Sequence, residues 1–262
     1  MKRRQRQRLI LDLLQTVPEL SVDEACERLG ASPATVRREF AQLAEENKVE
    51  KTWGGIRTLG AELQLVRPAF AARLAAQAGE KKLIARAAAE LLAEGDVVMI
   101  DGGTTTLQLA EFIALKRIRV ITNSLVIAQA LDQYRGNQRG AEIHLAGGIL
   151  QPESDVIAGP QAEAYMQRYH ANWAFMGAAG VDDGSVTNYN EAVLVSERLM
   201  IAQSARVAIL ADHTKLGRTA MCTLCAVTAI DYLFTGRHES STALVRRLRH
   251  VGVQVSEIAG SF

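Results

Sequence analysis

From Glu80 onward, stretches with helical apolar spacing alternate with short β-branched runs. Helix-like residues 81–92 precede a run at 97–100, then 107–115 precede 119–121, and 125–131 precede 142–146. The alternation continues with 161–168 and 173–176, 192–203 and 207–210, a run at 232–234, then 242–249 and 253–258. Parallel strands need long crossovers, and crossover helices cover both faces, so this pattern predicts a doubly wound, mostly parallel α/β sheet.

The texture before residue 59 is different. Leu9, Ile10, Leu13 and Leu14 form the stripe of an amphipathic helix over 6–15. Ser21 with Glu24 reads as a capping box for a second helix over 22–29, ended by Gly30. Ser32 followed by Pro33 is a second start signal, and a third helix runs to about Glu46. Its apolar stripe is Val36, Phe40 and Leu43, which leaves Arg38 and Gln42 on the opposite face with Thr35 and Arg37 on its flanks. Two helices joined by a short turn, the second presenting arginines, predict a helix-turn-helix. Residues 49–52 and 56–58 flank Trp53-Gly54-Gly55 and are read as a wing hairpin. The expected organisation is a winged helix-turn-helix domain over 1–58, a linker over 59–79 interrupted by Pro68, and an α/β domain over 80–262.

Charge sharpens the reading of the first domain. The 262-residue chain has a net charge of only +1, yet Lys2, Arg3, Arg4, Arg6 and Arg8 occupy the first eight residues with no acid among them. That cluster suits DNA phosphates, or else is a solvated terminus. Ordinary apolar and charged content, 48% and 23%, argues against a disordered or fibrous chain. The sequence carries no apolar run of membrane-span length and no signal-peptide pattern, and Cys26, Cys222 and Cys225 are too few for a disulfide framework. A cytoplasmic protein is expected. Cys222 and Cys225 have the spacing of half a zinc or redox site but lack a second pair, and the five histidines form no metal motif, so no metal or cofactor is assigned.

In the second domain, polar clusters follow the β-branched runs. Asp101-Gly102-Gly103-Thr104-Thr105-Thr106 comes after the run at 97–100, where glycines admit a ligand to the backbone and threonine hydroxyls with helix-start N–H groups can hold an anion. The alternative is a glycine turn with a threonine cap. Thr122-Asn123-Ser124, Gly147-Gly148 and Asp212-His213-Thr214-Lys215 follow other runs. Ends of parallel strands share one rim, so these groups are expected to converge, with Lys215 as a phosphate cation and Asp101, Asn123 or Asp212 for sugar hydroxyls. Glu191 is either a base near that rim or a helix-dipole residue.

Taken in order, the segment SPATVRREF from Ser32 to Phe40, Trp53-Gly54-Gly55-Ile56, Glu80-Lys81, Gly95-Asp96, the Asp101 to Thr106 turn, Thr122-Asn123, Gly147-Gly148, Ala174 to Gly177 with Gly180, Glu191 and Asp212 to Gly217 resemble the DeoR family of bacterial transcription regulators. The resemblance spans essentially the whole chain. It implies a winged helix-turn-helix joined to a sensor domain related in fold to ribose-5-phosphate isomerase and glucosamine-6-phosphate deaminase. Gly102, Asn172 and Asn47 depart from the family's usual Ser, Asp and Gly. The implied function is a DNA-binding repressor of a carbohydrate-metabolism operon, controlled by a phosphorylated sugar or related metabolite, without enzyme activity. Arg3, Arg4, Ser32, Thr35, Arg37, Arg38, Gln42 and Trp53 are the expected contacts to double-stranded operator DNA, and a homo-oligomer, dimer or tetramer, is expected to match a repeated operator. Asp101, Gly103, Thr104, Thr105, Thr106, Asn123, Gly148, Glu191, Asp212 and Lys215 are the expected effector residues. The competing interpretation is a sugar-phosphate isomerase or deaminase with an accessory DNA-binding module.

Overall fold

The computed structural model describes residues 3–14, 19–46, 48–52, 54–58, 63–64, 69–151 and 156–260. The chain divides into two units, Met1–Ala76 and Gln77–Phe262. In the first, helices α1 (Arg3–Leu14), α2 (Val22–Leu29) and α3 (Pro33–Glu45) accompany strands β1 (Glu19–Ser21), β2 (Val49–Lys51) and β3 (Gly55–Thr58). The capping box is formed as expected: Ser21 Oγ accepts the Glu24 N–H, and Glu24 accepts the Ser21 N–H. Gly30 ends α2 in the left-handed region at φ 59°. The wing is a three-stranded antiparallel sheet in the order β1-β3-β2, so the expected hairpin gains a third strand. A Cβ on Gly55 would lie 2.2 Å from the Leu20 carbonyl oxygen, so the close approach of β1 requires glycine there. Ile10, Leu14, Leu20, Val36, Phe40, Leu43, Val49 and Ile56 fill the core of this unit.

Helix α4 (Phe70–Ala75) lies inside the segment read from sequence as a linker, and α5 (Ala78–Ala89) begins within it. Between them Ala76 is extended and Gln77 is left-handed at φ 52° and ψ 35°. Among the described residues Gln77 is the sole non-glycine with positive φ.

The second unit contains, in chain order, β4 (Val97–Ile100), α6 (Leu109–Ile113), β5 (Arg119–Thr122), α7 (Leu125–Arg135), β6 (Glu142–Leu145), β7 (Ile149–Gln151), β8 (Val156–Ala158), α8 (Pro160–Met166) and β9 (Trp173–Gly177). It continues with β10 (Gly180–Val181), β11 (Ser185–Asn188), α9 (Glu191–Ala202), β12 (Val207–Leu210), β13 (Cys222–Ala226), β14 (Tyr232–Gly236), α10 (Thr242–His250) and β15 (Gln254–Ile258). Seven strands form an all-parallel sheet ordered β15-β14-β12-β9-β4-β5-β6. Alternate residues along each strand face different cores. Ile100, Phe175, Leu210 and Phe234 pack with α5, α6 and α7, while Met99, Met176, Ile209 and Leu233 pack with α8, α9 and α10. The chain runs outward from β4 to β6, returns to β9 and then runs outward the other way. The order therefore reverses between β4 and β9, the place where open α/β sheets hold ligands beyond their carboxyl ends.

Sequence alternation did not predict the antiparallel pieces. Strands β10, β11 and β13 form a small sheet, and β7 pairs with β8 in a hairpin. The helix expected over 107–115 is a 3₁₀ turn, Thr106–Gln108, followed by the short α6.

Candidate nucleic-acid interface and ligand site

In the first unit, α3 opens on Ser32, whose hydroxyl accepts the Thr35 N–H at 3.4 Å and lies 3.0 Å from the Thr35 hydroxyl. Burial of Val36, Phe40 and Leu43 fixes the helix phase and leaves Arg37 and Arg38 exposed. Gln42, one turn after Arg38, is half-buried: it accepts from Gln7 Nε2 at 3.2 Å and donates to Glu46 at 3.0 Å, so both ends of its amide have partners within the unit. Arg3 is exposed at the start of α1 and Arg4 lies within the same helix. Trp53 is outside the described residues, as is Asn47.

The cations of α1 are less bare than their sequence suggests. Arg6 Nε and Nη2 donate to Glu39 Oε1 of α3 at 2.8 and 2.5 Å, and Glu39 is buried. Glu46 is held below its ordinary pKa by Lys48 first, with Arg3 contributing. Acids on the third helix thus stand beside the basic segment, a compensation hidden by a separation of 33 residues between Arg6 and Glu39.

In the second unit, Asp101 and Asn123 directly follow β4 and β5, and Asp212 follows β12 after Ala211, so the shared direction of those strands puts all three on one rim. All three are buried. At the reversal point Gly103 and Gly177 face each other: a Cβ on Gly177 would lie 3.7 Å from Asp101 Oδ2 and 3.9 Å from the Gly103 Cα. Thr106 donates its hydroxyl to the Gly103 carbonyl at 3.1 Å, and Thr104, Thr105 and Thr106 are buried. Gly102 leaves no space for a side chain, because Val156 Cγ2 would lie 2.3 Å from a Cβ. The Asn123 side chain is fully buried, and neither its Oδ1 nor its Nδ2 has a hydrogen-bond partner among the described residues. Each such buried atom costs about 1–3 kcal/mol until something satisfies it.

Asp212 Oδ1 accepts the Thr214 N–H at 3.1 Å and the Thr214 hydroxyl. Lys215 ends this 3₁₀ turn, half-buried. Gly148 turns the chain into the β7–β8 hairpin, with φ 146°. Glu191 is exposed in the first turn of α9, behind the Asn190 N-cap, a position that suits the helix dipole. Asn172 accepts the Val97 N–H at 2.8 Å beside β4's first residue, at the opposite end of the strands. Burial raises the Cys225 thiol to about 11, so it is protonated at neutral pH and is no ready nucleophile.

Two rim residues escaped site assignment from sequence. Glu80, fully buried in the first turn of α5, accepts the His213 N–H at 2.6 Å and the Gly236 N–H at 2.9 Å, and its other oxygen lies 2.6 Å from His213 Nδ1. Lys81 is also buried, its Nζ 3.9 Å from Asp212 Oδ2. The signal was helical phase: these charges stand four residues before the apolar Ile84 and Ala85, on the face that meets the sheet.

Two family sequence models match the chain: the DeoR C terminal sensor domain over residues 76–237 and the DeoR-like helix-turn-helix domain over residues 6–61. The chain is 33% identical to the HTH-type transcriptional repressor GlcR of Bacillus subtilis, covering 87% of this chain and 86% of that one. It is 30% identical to the glycerol-3-phosphate regulon repressor of Escherichia coli, covering 90% and 91%. Among solved structures, ribose 5-phosphate isomerase A of Methanocaldococcus jannaschii is 15% identical with a TM-score of 0.40, covering 54% of this chain and 55% of that one. Among the described residues no helix is long and apolar enough to cross a membrane.

Proposed function

The chain belongs to the DeoR family of transcription regulators, and from that premise we propose that it is a DNA-binding repressor of a carbohydrate-metabolism operon, released by a phosphorylated sugar or related metabolite. The observation that carries the DNA half is the exposed pair Arg37 and Arg38 on a capped helix of a winged unit. Guanidinium forks near the start of such a helix suit bidentate contacts to guanine edges. Arg3 and Arg4 add phosphate contacts that carry no sequence information. The effector half is supported by the buried Asp101 at the reversal of strand order, with the buried Asn123 and Asp212 following the strands to either side, and with Lys215 and the threonine turn as the phosphate seat. We take the protein to act by binding alone, in the cytoplasm, as a homo-oligomer of two or four copies on a repeated operator.

Operator selection from random DNA tests the first half. The wild type should return a defined motif, and Arg37→Ala/Arg38→Ala should return none; an unchanged motif in the double variant would remove α3 from the assignment. For the second half, a ligand at 100 times its Kd adds about 2.7 kcal/mol of stability. A panel of sugar phosphates should therefore include one that raises the melting temperature and releases the selected operator.

A further inference from the structure

Lys81 and Asp212 are 2% and 1% exposed, with Nζ and Oδ2 3.9 Å apart. A charge-assisted N–H···O bond measures about 2.7–2.9 Å, so the two groups attract each other across a gap too wide for a direct bond. Both sides of the gap are fixed. Asp212 Oδ1 is committed to Thr214, which leaves Oδ2 toward the lysine. Lys81 is held through its neighbour Glu80, whose carboxylate fastens the first turn of α5 to His213 and Gly236. A Cβ on Gly236 would lie 2.3 Å from Glu80 Oε1, so the fastening has no slack.

We propose that Lys81 and Asp212 form a hydroxyl-reading pair of the rim site. One ligand hydroxyl oxygen accepts from Lys81 Nζ and donates its proton to Asp212 Oδ2. An oxygen about 2.8 Å from each partner closes a triangle on the 3.9 Å base. The chemistry selects the ligand class. A hydroxyl both accepts and donates, whereas a carbonyl only accepts and a phosphate oxygen would bring negative charge against Asp212. The pair therefore reads the polyol portion of an effector whose phosphate lies on the threonine turn and Lys215. The inference rests on the rim being the effector site, as proposed above.

The test uses the full-length protein with inorganic phosphate, glycerol 3-phosphate, ribose 5-phosphate and glucosamine 6-phosphate, followed by calorimetry and thermal shift. In the wild type at least one ester should bind about tenfold or more tighter than inorganic phosphate. Lys81→Met and Asp212→Asn should each erase that surplus while leaving inorganic phosphate within about twofold; Lys215→Met should weaken both ligands. If Lys81→Met does not fold, the near-isosteric Asp212→Asn carries the test. Wild-type ester affinity in a folded Lys81→Met or Asp212→Asn variant makes the pair an internal ion pair only and overturns the proposal. So does the absence of any ester surplus in the wild type. If inorganic phosphate does not bind but an ester does, and Lys81→Met weakens it, the pair stands and the threonine turn loses the phosphate.

Discussion

Arg37 and Arg38 stand exposed on a single helix, α3, whereas Lys81, Asp101, Asn123 and Asp212 are buried and reach one rim from four separate places in the chain. The first site lies on the outside of a finished core. The second is part of the packing of its own unit, since the same turn that carries Lys81 carries Glu80, which binds backbone donors of His213 and Gly236. The difference separates two kinds of variant: one on α3 should change recognition without changing stability, while one at the rim should change both.

The strongest way to break that contrast is Glu80→Ala. It strands the His213 and Gly236 N–H groups in a buried place, which should cost the sensor unit roughly 3–5 kcal/mol. Denaturation followed by hydrogen exchange should show the loss in residues 77–262 and none in the winged unit. A loss under about 1 kcal/mol would mean that the rim is not built into the packing. Arg38→Ala should come next, weakening the selected operator by about 1–3 kcal/mol while leaving the melting transition within about 0.5 kcal/mol. A parallel fall in stability would erase the distinction between the two sites. Ser21→Ala removes the N-cap of α2 and should cost the winged unit about 1 kcal/mol, read by urea denaturation of that unit. The smallest effect is a pH dependence. Hydrogen bonds from the Ser21 side chain and backbone hold Glu24 below its ordinary value of 4.5. A carboxylate with a lowered folded pKa stabilises above the unfolded value and loses that contribution as pH falls through the folded one. Glu24→Gln should therefore flatten the acid limb of stability below about pH 4.5, and an identical limb in both proteins would assign it to other carboxylates.

What was legible from sequence follows the range of the interactions. The starts of α2 and α3 and the end of α2 are set by Ser21, Glu24, Gly30, Ser32 and Pro33, all within a few residues of what they cap. Strands β4 and β12 were readable because burial on both faces makes them apolar at nearly every position. Strand β1 and the β7–β8 hairpin are three residues per strand, too short for alternation to register. In the candidate sites, Asp101, Asn123 and Asp212 could be picked out by following strands. Glu80 and Lys81 were signalled by helical phase alone, because their partners lie more than 130 residues away. The partner of Arg6 was hidden for the same reason: Glu39, which forms an ion pair with it, belongs to another helix.

Gln77 carries a consequence in mechanics. It stands between α4 and α5 in a backbone region that costs a side-chain-bearing residue about 1–3 kcal/mol, with Ala76 extended beside it. Were both residues to take ordinary helical dihedrals, the two helices would fuse into one rod of about 20 residues, roughly 30 Å long. The handedness of one glutamine thus decides whether residues 70–89 are two helices or a single shaft.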